Sequence, residues 1–68
     1  MDKYDKKFEE HIAIYNRGQM YMDYYKLVRE NEKISVERLK EMLELFTSEE
    51  KYEWCVIIKK SIDESLDN

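Results

Sequence analysis

The clearest run of spaced apolar residues lies in the second half of the chain. Val36, Leu39, Leu43 and Phe46 recur at steps of three, four and three, a spacing that lines one side of a helix. Met42 and Leu45 widen that stripe, and Glu37, Glu41 and Glu44 form an acidic edge beside it. Ser35 stands just before the run, where its hydroxyl can accept an orphan backbone N–H, so the pattern predicts a helix over 36–46. Thr47 with Glu50 three residues on has the form of a capping box, Ser48 being the alternative cap, and a further helix is expected over 49–66. So short a joint folds the two helices into an antiparallel hairpin.

In the first half the apolar positions change sides. Placed at ~100° per residue, Tyr4, Phe8, His11, Ile12 and Tyr15 cluster on one side, whereas Met20, Tyr21, Tyr24, Leu27 and Val28 fall mostly on the opposite one. The jump coincides with Asn16-Arg17-Gly18. Glycine costs ~1 kcal/mol inside a helix and is favoured just past a helix end. The pattern therefore predicts a break, with helices over about 3–16 and 19–31. Together with the hairpin this makes an all-α fold: one domain over 1–68, a small bundle of about four short helices.

The last helix carries apolar residues on two sides. Tyr52, Cys55, Ile58, Ile62 and Leu66 share one, with Val56 at its margin, and form the expected seam with Leu39, Leu43 and Phe46. Trp54 and Ile57 project from roughly the opposite side. Burying each is worth ~1.5–3 kcal/mol, a large share of what so small a domain can muster. That side is expected to be covered, either by the tyrosine-rich first half of the same chain or by another molecule. Aromatic anchors dominate binding hot spots, which marks Trp54, Ile57, Tyr21, Tyr24 and Tyr25 as candidate partner-binding residues.

The stretch Tyr52-Glu53-Trp54-Cys55-Val56-Ile57-Ile58-Lys59-Lys60-Ser61-Ile62 resembles the second helix of the UVR motif. That motif is the short helical hairpin of bacterial excision-repair nuclease subunits and of some Clp-protease adaptors. Tyr52 and Glu53 match its aromatic-Glu pair, Cys55 and Val56 its small pair, Ile58 its Leu, Lys59 its Arg and Ile62 its Ile. Leu39, Met42, Leu43 and Phe46 are similar to its first helix, so the resemblance spans about 36–64. Lys60 replaces the usual acid, and Trp54 and Ile57 stand where the family is polar. The resemblance implies a helical hairpin that pairs with another hairpin, and carries no repair function with it.

Charge divides unevenly. The formal net charge is −4. Residues 1–34 balance seven Lys/Arg against seven Asp/Glu, and residues 35–68 hold five against nine, so the whole excess sits in the second half. No basic surface is available to displace counterions from phosphates, which argues against direct nucleic-acid binding. Glu37, Glu41, Glu44, Glu49, Glu50 and Glu53 form a candidate acidic face, suited to a basic partner or simply to solubility. No apolar run approaches the ~18 residues that span a bilayer, and the charged start does not read as a signal peptide, so a cytoplasmic chain without membrane contact is expected.

Little in the sequence points to chemistry. One cysteine and one histidine make neither a disulfide framework nor a typical zinc site. His11 reads as a packing or surface histidine, and Cys55, on the predicted seam, as a small hydrophobe. Glu-x-x-His, the carboxylate-bundle metal motif, does not occur, and Gly18 is the only glycine, so there is no phosphate loop. The six tyrosines lack the basic track that accompanies base-stacking aromatics in single-strand binders. The four methionines read as gap-fillers. No catalytic, cofactor or metal residue is assigned.

A non-catalytic helical protein–protein interaction module, self-associating as a dimer, is the expected function. The alternative is an acidic inhibitor from a phage or mobile element that blocks the basic site of a host nucleic-acid-processing complex. A third reading is a small structural or assembly subunit of a larger particle.

Overall fold

The computed structural model describes residues 3–67, with side chains from Lys6 onward. It contains three helices, α1 (Lys3–Arg29), α2 (Val36–Ser48) and α3 (Tyr52–Leu66). The all-α class is as expected from the sequence; the number of helices is not.

The first two expected helices are one. Gly18 is helical, and no atom lies within 4 Å of where a Cβ would stand on it. Ending one helix at Asn16 and restarting at Gln19 would orphan up to four N–H and four C=O groups, a larger loss than the ~1 kcal/mol that a glycine costs mid-helix. A break would be worthwhile only if it let the first segment fold back onto the hairpin. The surface it would need, around Trp54, is already occupied by Tyr21 and Tyr24. The change of apolar side therefore marks the point along a single helix at which contact with the hairpin begins.

α2 and α3 form the antiparallel hairpin. The Ser35 hydroxyl accepts from the Arg38 N–H at 3.2 Å, as a helix N-cap does. α2 runs two residues further than expected and closes in a Schellman turn. Lys51 N–H donates to Phe46 C=O at 2.8 Å and Glu50 N–H to Thr47 C=O at 3.0 Å, with Glu50 at φ 61°. The expected capping box is absent because Thr47 and Ser48 belong to α2. Thr47 Oγ1 lies 3.3 Å from Cys55 Sγ, and the Ser48 hydroxyl donates to the Leu45 carbonyl at 2.6 Å. α3 starts at Tyr52, after an N-cap Lys51 whose side chain makes no cap bond.

The core is made of Leu39, Met42 and Phe46 from α2 and Cys55, Ile58 and Ile62 from α3, all buried. It is narrower than the sequence seam. Tyr52 is 61% exposed, Val56 and Leu66 are exposed as well, and Leu43 is only half-buried. Met42 takes the central place because α2 serves two neighbours. Its buried line shifts toward the side bearing Arg38 and Glu49, which hold α1.

Among the described side chains of α1, those that meet the hairpin lie in its C-terminal half. Met20, Tyr21, Tyr24 and Leu27 pack against the hairpin core, whereas every residue with a described side chain from Lys6 to Gln19 is exposed. A 27-residue helix is ~40 Å long at 1.5 Å per residue, about twice the length of either hairpin arm. The molecule is correspondingly elongated, 46 × 21 × 21 Å. Residues up to about Asn16 form an arm standing clear of the hairpin. Tyr4, which the sequence pattern puts on the arm's apolar side, lies outside the residues whose side chains are described.

Candidate functional site

The joint between α1 and the hairpin is an aromatic clasp. The rings of Tyr24 and Trp54 stack at 4.2 Å with 3° between their planes. Tyr21 meets Trp54 edge-on at 5.4 Å, and Phe46 meets it edge-on at 5.0 Å from below. Lys51 Nζ sits 4.8 Å from the indole centroid, within cation–π range. Burial is the main cause that pushes the Tyr24 phenol above its ordinary pKa, with the negative charge of Glu53 adding to it.

Two polar ties flank these rings. At the upper one, Arg17 Nε and the Tyr21 hydroxyl both donate to the Glu49 carboxylate, and Arg17 Nη2 reaches its second oxygen at 3.3 Å. The Arg17 guanidinium first, and the Tyr21 hydroxyl after it, hold the Glu49 carboxyl below its ordinary pKa; the same contact raises that of Arg17. At the lower tie Arg38 Nε donates to Asp23 Oδ2 at 2.6 Å and Nη1 to Glu41 Oε1 at 3.1 Å. The bond to Asp23 is the main cause that raises the Arg38 pKa.

These contacts redistribute the residues singled out from the sequence. Trp54, Tyr21 and Tyr24 are half-buried and pack against one another, so that of the two covers open to Trp54 it is α1 that lies on it. Ile57 is 40% exposed and shares a groove with Leu27, Ile34 and Leu39. Tyr25 is exposed. The acidic set is not one free face. Glu37, Glu44, Glu50 and Glu53 are exposed, but Glu49 is tied to Arg17 and Tyr21, and Glu41 to Arg38.

Sequence reasoning missed the face that the structure leaves bare. Phe8, Ile12 and Tyr15 on the arm, and Met22 and Tyr25 beyond it, are all exposed, Phe8 at 66% and Tyr15 at 65%. They lie on one side of a single helix, opposite Met20, Tyr24 and Leu27. The expected break concealed this continuity; the seven-residue spacing of Phe8, Tyr15 and Met22 was the signal for it.

Among the described residues no three of His, Cys, Asp and Glu converge as metal ligands would, and no helix is long and apolar enough to cross a membrane. No family model matches the chain, and neither a curated protein nor a solved structure is detectably similar to it.

Proposed function

We propose that this chain is a small, non-catalytic helical interaction module that engages a protein partner through the outer face of α1. One observation carries the reading: an apolar stripe from Phe8 to Tyr25 lies bare along α1, on the side away from Met20, Tyr24 and Leu27, which pack on the hairpin. Contiguous exposed apolar surface on a small protein marks an interaction site. The clasp serves as the scaffold, holding α1 on the hairpin so that the stripe faces outward. An acidic inhibitor is the weaker reading, because Arg17 and Arg38 engage two of its six acids within the chain.

The test compares the full-length chain with a Phe8→Glu/Tyr15→Glu variant as baits in an extract of the native cells. Circular dichroism is run alongside to show that the hairpin still melts as in the wild type. Proteins held by the wild type and released by the variant support the reading. An identical set held by both overturns it. Retention that falls steeply with added salt and ignores these two substitutions favours the acidic face instead.

A further inference from the structure

Gly18 lies at the midpoint of the bare stripe, and nothing in its own chain explains it. Its backbone is helical, no atom approaches within 4 Å of its absent Cβ, and glycine is among the poorest residues for a helix interior. At ~100° per residue, Phe8, His11, Tyr15, Gly18, Met22 and Tyr25 fall within about a third of the helix circumference. Read as positions of a coiled-coil seam, Phe8, Tyr15 and Met22 form one line and His11, Gly18 and Tyr25 the other.

We propose that this face docks on the same face of a second copy, antiparallel about a two-fold axis between Asn16 and Arg17, with Tyr15 packed over Gly18 of the partner subunit. The inference rests on the reading of α1 as an interaction face and names its occupant. In this register Phe8 meets Tyr25 of the partner subunit and His11 meets Met22 of the partner subunit. The largest central side chain thus lies opposite the residue that has none, and each unsupported arm lies along the packed half of the other α1.

Area and charge both favour a second copy. An aromatic side chain carries ~150–250 Å², and Phe8, Tyr15 and Tyr25 are each at least half uncovered. With Ile12 and Met22 the face offers on the order of 500 Å² per chain, hence ~1,000 Å² for the pair, the lower bound for a biological interface, before flanking stems are counted. The first half of the chain is neutral, seven cations against seven anions, and the net −4 lies on the hairpin side. Pairing through α1 keeps that excess of negative charge out of the seam, and the antiparallel order sends the two acidic hairpins to opposite ends. It also opposes the two helix dipoles.

Sedimentation equilibrium on the purified full-length chain tests this from about 1 to 500 µM, a span that covers micromolar dissociation constants. The expected wild type is a dimer that dissociates within it. Phe8→Glu/Tyr15→Glu should be monomeric throughout, with an unchanged hairpin melt. Gly18→Leu should raise the helix content of the monomer yet weaken the dimer by roughly tenfold or more, since the added side chain fills the space for Tyr15 of the partner subunit. A wild type monomeric at 500 µM overturns the second copy and leaves the interaction reading standing on its extract test. A dimer indifferent to Phe8→Glu/Tyr15→Glu overturns this interface and likewise leaves the interaction reading to its extract test. A dimer lost in that variant but tightened by Gly18→Leu overturns the register.

Discussion

Tyr24 and Trp54 lie face to face, 4.2 Å apart and within 3° of parallel, although thirty positions separate them along the chain. This stack lies at the centre of the joint between the long helix and the hairpin, between the Arg17–Glu49 and Arg38–Asp23 ties. Its energetic weight is therefore the first thing to measure. Trp54→Ala removes the indole from four partners (Tyr21, Tyr24, Phe46 and Lys51). Large aromatic truncations cost ~3–5 kcal/mol when fully buried; for this half-buried ring ~2–4 kcal/mol is expected. A domain of this size has only ~3–5 kcal/mol to lose. Urea unfolding at 25 °C should show the variant largely unfolded or near its midpoint without denaturant. A loss below about 1 kcal/mol would show that the clasp does not hold α1.

The Glu49 tie predicts an acid-side dependence. The folded carboxyl titrates below its ordinary value of 4.5, through the Arg17 and Tyr21 hydrogen bonds. A depressed folded pKa means stability that is present above the unfolded pKa and drains away as pH falls through the folded one. The melting temperature of the wild type should decline below about pH 4.5. Glu49→Gln should lower it at neutral pH and flatten that part of the decline. Parallel acid profiles of wild type and variant would remove the tie from the account.

On the alkaline side the sign is reversed. Burial raises the Tyr24 pKa above 10.0, so its contribution is complete below the unfolded value and lost as pH rises through the folded one. Absorbance titration near 295 nm should show a late-ionising phenol that Tyr24→Phe abolishes. A late phase that persists in Tyr24→Phe assigns it to another tyrosine.

Glu50 is expected to be a site of easy stabilisation. It occupies the left-handed position of the Schellman turn at φ 61°, where an L-residue with a side chain is disfavoured by ~1–2 kcal/mol and glycine is not. Glu50→Gly should stabilise by about 0.5–1 kcal/mol after the extra freedom of the unfolded glycine is subtracted, read as a rise of several degrees in melting temperature. Glu50→Val should do the opposite.

The hairpin was legible because its signals are local. Ser35, the spaced apolar residues of α2 and the line Cys55, Ile58, Ile62 each report on their own element. The two-sidedness of α3 was legible too: Trp54 and Ile57 required a second cover, and α1 lies over Trp54. What misled was the change of apolar side at Asn16-Arg17-Gly18, which reads as a change of element. The switch from Tyr15 to Met20 looked like a break because a single straight helix would leave one stripe bare, and the structure leaves it bare. Glu50 could not be foreseen as the turn residue, since glutamate carries no preference for positive φ. The ties of Arg17 to Glu49 and of Arg38 to Asp23 depend on tertiary placement and have no signature in spacing.

An unbroken α1 also gears the arm to the hairpin. Each residue advances the helix by ~100°, so one residue inserted between Arg17 and Met20 would swing Phe8, Ile12 and Tyr15 a quarter-turn or more out of phase with Met22 and Tyr25, while four inserted residues would bring them back to within ~40°. Whatever the arm meets, its angular bearing is set by counting residues rather than by any contact at the far end.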